Sequence, residues 1–163
     1  MTAGASALTA RRSLARTLAW LAAGGLAAGT LDILYVILFW AAKGVPGQRI
    51  LQSVAAGVLG EASFDGGRAS ALLGLALHFA IALCMAAAYF IAARALPWLH
   101  RAPIRYGALY GLLLYAVMQY IVVPLSAAPG GGTKNMVWIV ASIVAHVVLV
   151  GIPIAWCARR GAS

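Results

Sequence analysis

Gly24-Gly-Leu-Ala-Ala-Gly-Thr-Leu-Asp-Ile-Leu-Tyr35 decides how this chain is read. Gly25 and Gly29 stand one helical turn apart, a spacing that lets a second helix come close. Asp32 follows less than a turn later, set among leucine, isoleucine and alanine. The apolar run that contains it extends over about 18–42, enough to cross a hydrocarbon core, which takes about 20 residues. A carboxylate at that depth is costly and marks a candidate functional position.

The composition puts the whole chain in the same environment. Of 163 residues, 64% are hydrophobic and 9% charged, with a mean hydropathy of +0.95. Soluble domains carry about 25% charged residues, so the balance is that of an integral membrane protein. The net charge of +9 comes from short basic clusters flanking apolar runs, which orient helices in a bilayer. That pattern argues against nucleic-acid binding. Arg11, Arg12 and Arg16 precede the first run as in an export signal, but the run is much longer than the about 7–15 residues of a signal core. The expectation is a retained helix. Cys84 and Cys157 lie in separate apolar runs without metal-ligand spacing and are expected to be small buried hydrophobes rather than a disulfide.

Three further stretches can span, about 69–93, 104–125 and 136–157. The expected fold is all-α: a single four-helix transmembrane bundle over 18–158, with an N-terminal tail 1–17 and a C-terminal tail 159–163. Between the first two spans, segment 47–62 places Ile50, Leu51, Val54, Ala55, Val58 and Leu59 at helical spacing among Gln48, Arg49, Gln52 and Ser53. This is a short outer amphipathic helix, lying at the interface or folded back over the mouth of the bundle. It ends in the turn-like Glu61-Ala-Ser-Phe-Asp-Gly-Gly67. The connection 126–135, with Pro129 and three glycines, reads as a flexible linker.

Eight Lys and Arg residues fall in the N-terminal segment, the second connection and the C-terminus; four (Lys43, Arg49, Arg68 and Lys134) fall on the opposite side. The positive-inside rule then places both termini in the cytoplasm. Trp20, Trp40, Trp98, Trp138 and Trp156 lie near the expected span ends, as an aromatic belt requires.

Topology allows depth to be compared. Asp32, His78 and His146 each lie nine or ten residues from the outer end of their spans, roughly 15 Å below the boundary. Each also sits on a small-residue face. Ala71, Gly74, His78 and Ala82 share one stripe of the second span, and Ser142 and His146 are one turn apart on the fourth. The three ionisable groups are expected to point inward. Gly107, Gly111, Tyr115 and Gln119 form a comparable ladder on the third span, making Tyr115 and Gln119 secondary polar lining.

Two readings of this cluster stand side by side. Asp32, His78 and His146 handle protons or cations, since histidine titrates near neutrality. Alternatively, Asp32 bonds a histidine or Thr30 and simply joins helices. A zinc site would need two histidines and the aspartate to converge, and no close ligand pair such as HxxxH occurs, so no metal and no cofactor is expected. Glu61 and Asp65 form an outer acidic pair that could bind a cation but reads more simply as a solvated turn. His100, beside Arg101, reads as a solvated surface residue. No nucleophile–base pair, phosphate loop or nucleotide motif is present, so no catalytic residue is assigned and the chain is not expected to be an enzyme.

Ala-Gly-Thr-Leu-Asp32, Arg49-Ile-Leu-Gln-Ser53-Val-Ala-Ala-Gly57, Ala76-Leu-His78-Phe, and Gly107-Ala-Leu-Tyr-Gly111 through Val123-Pro-Leu-Ser126 resemble a group of small bacterial inner-membrane proteins of unknown function. The resemblance covers roughly 22–157. It implies a bacterial inner-membrane location and supplies no catalytic residue. Small multidrug exporters also carry a carboxylate in the first of four helices, but no stretch here matches their motif, and the long outer segment and charge bias depart from them. The expected role is therefore structural, stress-related or partner-binding, in contact with the lipid bilayer and with a homo-oligomer or membrane-protein partner left open. The alternative is a small proton- or cation-coupled transporter. A carrier should hold a polar cavity reaching Asp32 from one side; a structural protein should seal Asp32 in helix contacts.

Overall fold

The computed structural model describes residues 2–130 and 135–162, with side chains from 11 onward. Lys134, counted above among the outer cations, lies outside the described residues. The chain forms α1 (Thr2–Ala41), α2 (Gly47–Leu59), α3 (Gly67–Ala95), α4 (Pro103–Leu125) and α5 (Met136–Ala162). No strand occurs among the described residues. Four helices are long and apolar enough to cross a membrane, those over Arg11–Ala41, Gly67–Ala95, Pro103–Leu125 and Met136–Ala162. The first helix runs on through the segment expected as an N-terminal tail.

α1 is central: it packs against α3 on one side and α5 on the other, and α5 packs in turn against α4. Glycine makes these contacts possible. A methyl group on Gly25 would meet Leu83, and one on Gly29 would meet Phe79, so α1 and α3 touch at those two positions. Gly107 and Gly111 face Gly151 so closely that an added carbon would strike backbone atoms of the opposite helix. Close backbone approach supplies the dispersion contacts that hold helices together in lipid, where burying apolar surface gives no net drive. No comparable backbone contact joins α3 to α4. Their link is Tyr110, whose hydroxyl donates to the Met85 carbonyl at 2.7 Å while its ring packs on Tyr89.

α2 does fold back over the bundle. Gly60, at φ +61°, ends it, and a single 3₁₀ stretch, Gly60–Phe64, turns the chain into α3. Gly74 lies beneath Leu51, where any side chain would collide with the Leu51 carbonyl. The corner is fixed by Gln52, only 3% exposed, whose amide donates toward the carbonyls of Gly67 (3.1 Å) and Phe64 (3.4 Å) and the Ser70 hydroxyl (3.3 Å). Ser63 donates back to the Gln52 carbonyl at 3.0 Å. The start of the 126–135 connection is not loose either, because the Ala127 amide donates to the Gly57 carbonyl.

The interior divides into two halves. Toward the chain termini, Ala28, Ala86, Tyr89, Phe90, Leu114 and Ile154 form a dense core with Ala155 and Ala158. Arg16 and Thr17 of α1 donate to carbonyls of Arg160 and Gly161 in α5, closing that end. Toward α2 the helices enclose a cavity instead.

Cys84 corrects one expectation. It is exposed, on the outer face of α3, while Cys157 is partly covered. Ala82 and Ala86 are the buried positions on either side of it; two residues along a helix is about 200° of rotation, which carries Cys84 outward.

Candidate functional site

Asp32, His78 and His146 all line one cavity, of about 250 Å³, in the α2 half of the bundle. α1 contributes Ala28, Gly29, Asp32 and Val36; α5 contributes Trp138, Ser142 and His146. Tyr115 and Gln119 of α4 are also in the wall, as their ladder with Gly107 and Gly111 implied. Met85 and Val150 lie toward the packed core, while Ile50, Ser53 and Val54 of α2 close the other end. The three ionisable groups thus all face inward.

They do not bond one another. His78 Nε2 lies 2.9 Å from the Gly29 carbonyl, and His146 Nδ1 lies 2.9 Å from the Ser142 carbonyl. A carbonyl can only accept, so each of those nitrogens carries the proton. In a neutral imidazole the other nitrogen, Nδ1 of His78 or Nε2 of His146, keeps its lone pair.

Asp32 makes no hydrogen bond or ion pair among the described residues. The expected tie from Asp32 to a histidine or to Thr30 is absent; Thr30 is exposed on the opposite side of the turn. Nor do His, Cys, Asp or Glu gather in any group of three that could hold a metal among the described residues. Each histidine is drawn to a carbonyl of a helix backbone rather than toward Asp32.

Two π-helical turns shape the wall. One, Met118–Val122, contains Gln119; the other, His146–Gly151, begins at His146. The amides that close them, Val123 and Ile152, bond five residues back to Met118 and Val147. Each turn ends two residues before a proline, Pro124 or Pro153. A proline in a regular helix has no amide to offer and crowds the carbonyl four residues earlier, here Tyr120 or Leu149. Widening the preceding turn relieves that crowding, and such turns recur at functional sites.

Sequence reasoning missed several parts of the wall. Trp138 was read as a belt residue; it lines the cavity and stacks on Tyr35 with ring planes 8° apart, beside Phe39 and Trp40. Ser142 is 6% exposed and its hydroxyl has no partner. Ser53 comes from α2, and only the fold-back brings it to Asp32's cavity. Glu61 and Asp65 lie away from the cavity, both exposed on the turn before α3. Between them Phe64 carries the Arg49 guanidinium at 4.0 Å from its ring centre.

His100 departs from its expected solvated position. It is half-buried, and its Nδ1 is buried without a partner. The 3₁₀ turn Pro97–His100 draws it in, because Leu99 of that turn packs on the core.

No protein-family model, curated protein or solved structure matches this chain.

Proposed function

We propose that this chain is a small integral membrane carrier that takes a cation or proton into its interior cavity, with Asp32 as the accepting group. The observation that carries the reading is the Asp32 carboxylate, which lines a cavity and has no partner among the described residues. A carboxylate in a low-dielectric interior must be paired or neutralised. A proton or a cationic ligand supplies what the protein itself withholds. His78 and His146 then serve as proton acceptors on the same wall, and Gln119, Tyr115 and Ser142 offer neutral hydrogen bonds.

Cavity size limits the occupant. At about 250 Å³ it falls below the about 300–1,000 Å³ of drug-sized ligand sites. A partly hydrated ion or a compact amine fits; a large aromatic drug does not. Trp138 and Tyr115 would give a cationic amine ring faces as well as a carboxylate.

A structural or partner-binding role is the second reading, and one observation favours it. The bond from His78 to Gly29 ties α3 to α1 at the glycine contact, which is the work expected of an interhelical polar link. For location we propose a bacterial inner membrane with both termini cytoplasmic. The charge partition and the resemblance to small inner-membrane proteins support this.

Reconstituted liposomes separate the two readings. Proton and small-amine flux should be measured for the parent chain and for Asp32→Asn, His78→Ala and His146→Ala. The carrier reading expects parent flux that Asp32→Asn abolishes while the fold persists. Absence of flux in the parent, or flux untouched by Asp32→Asn, removes it; lowered thermal stability alone supports the structural reading.

A further inference from the structure

A second cavity, of about 350 Å³, lies at the opposite end of the bundle, near the chain termini. Its wall has two chemistries. Arg94, His100, Ser13 and Thr17 are polar, whereas Leu14 and Phe90, with the alanines at 158 and 162, are apolar. α1, α3, α5 and the Pro97–His100 turn all contribute, so the cavity exists only because the 3₁₀ turn folds against the helix ends.

Charge at this end is one-sided. Arg11, Arg12, Arg16, Arg94, Arg101, Arg105, Arg159 and Arg160 all belong to the segments gathered here, and the chain's three acidic residues, Asp32, Glu61 and Asp65, all lie elsewhere. Among the described residues no acidic side chain stands beside Arg94. Arginines that merely orient a helix can stand anywhere on the rim; Arg94 instead borders a cavity that also has an apolar wall.

Depth gives an independent indication. Trp98 is exposed in the same turn as His100, and Trp156 is exposed one turn or less before Ala158, with Arg160 at 5.8 Å from its ring centre. Exposed tryptophan settles where hydrocarbon gives way to headgroups. The cavity therefore opens at headgroup level.

We propose that this cavity binds the phosphate of an anionic phospholipid, with Arg94 as the principal contact and His100 as the second. The guanidinium offers the forked donor geometry that phosphate oxygens accept. Ser13 and Thr17 offer hydroxyls to the glycerol oxygens, and Phe90, one turn deeper than Arg94, takes the first acyl carbons. Basic pockets between transmembrane helices are a general form of lipid recognition. The proposal is independent of the cation cavity and stands whether or not that cavity transports anything.

The full chain, purified in detergent, should be titrated with phosphatidylglycerol, phosphatidylcholine and inorganic phosphate, with bound lipid counted by native mass spectrometry. Phosphatidylglycerol is expected to bind in preference to phosphatidylcholine. R94Q should weaken it by about tenfold or more, the scale of one lost charge-assisted contact. R94K should recover part of the loss, and R105Q, a charge at the same end outside the cavity, should leave binding within about twofold. Arg94 is exposed, so thermal unfolding of R94Q is expected to match the parent. Equal weakening by R94Q and R105Q would show diffuse attraction and overturn the site. Displacement of the lipid by inorganic phosphate at matched concentration would show a free-anion site and overturn the lipid assignment.

Discussion

Replacing Gln52 with methionine tests how α2 is held over the cavity. Methionine keeps the length and approximate volume of the side chain but has no donor. Gln52 is 3% exposed and its amide nitrogen has three acceptors within 3.1–3.4 Å, yet two hydrogens to share among them. Two bonds are therefore lost, each worth about 1 kcal/mol net, and the Gly67 carbonyl keeps only the Ser70 hydroxyl as side-chain donor. The expected cost is about 2 kcal/mol. For a chain of this length each 1 kcal/mol lowers the melting temperature by about 2–4 °C, so the shift is about 4–8 °C. Thermal unfolding in detergent, followed by tryptophan fluorescence or circular dichroism, reads it directly. Gln48→Met, an exposed glutamine one turn earlier, is the control and should shift the melting temperature by less than about 1 °C. Ser53→Cys placed in both backgrounds adds a kinetic readout: a loosened α2 should raise its labelling rate by a polar thiol reagent. Equal melting temperatures for Gln52→Met and the parent would refute the view that this amide pins the corner.

Three other substitutions probe the rest of the frame. Gly111→Val drives a side chain into the His146 carbonyl, and the overpacking should cost about 1–3 kcal/mol or more, seen as reduced folded yield and a lower melting temperature. Tyr110→Phe removes the hydroxyl that joins α4 to Met85 of α3, and a loss of about 0.5–1.5 kcal/mol should appear in the same melting assay. Pro153→Ala restores the missing amide, so the widened turn at His146–Gly151 should revert to regular α-helix; flux or cation binding should fall while thermal stability holds or rises, and hydrogen exchange of the Pro153→Ala amide should be slow.

Much of the frame could be read from residue spacing because bilayer helices obey simple rules of length and face. The four spans follow from apolar length, and the inward faces of Asp32, His78 and His146 follow from their small neighbours, Gly25, Gly29, Gly74 and Ser142. The amphipathic period of 47–62 was equally plain. Where α2 would lie was not, since periodicity shows that a face is buried without showing against what. That choice depends on Gln52 meeting carbonyls 12 and 15 residues away and on Gly74 admitting Leu51. The prolines at 124 and 153 were visible, but whether a proline kinks a helix or widens the turn before it depends on the neighbouring helix. Here Gly107 and Gly111 hold Gly151 in place, leaving the turn to adjust. His100 was misjudged because Arg101 beside it suggests solvent; Leu99, one residue earlier, is what carries it inward.

The split between a dense core near the termini and a hollow half under α2 has a mechanical consequence. A rod clamped over half its length bends where it is free. α1, α4 and α5 are gripped as far as Ala28, Leu114 and Val150, which leaves about 11–14 residues of each beyond the grip, or about 17–21 Å of lever, while α3 is held further along by Gly74 under Leu51. A tilt of about 6° at the grip moves the far tips by about 2 Å, more than the radius of a water molecule. The molecule is built like tweezers, with its fulcrum at the chain ends, Asp32 between the prongs and the rings around Trp138 as the catch at the tips.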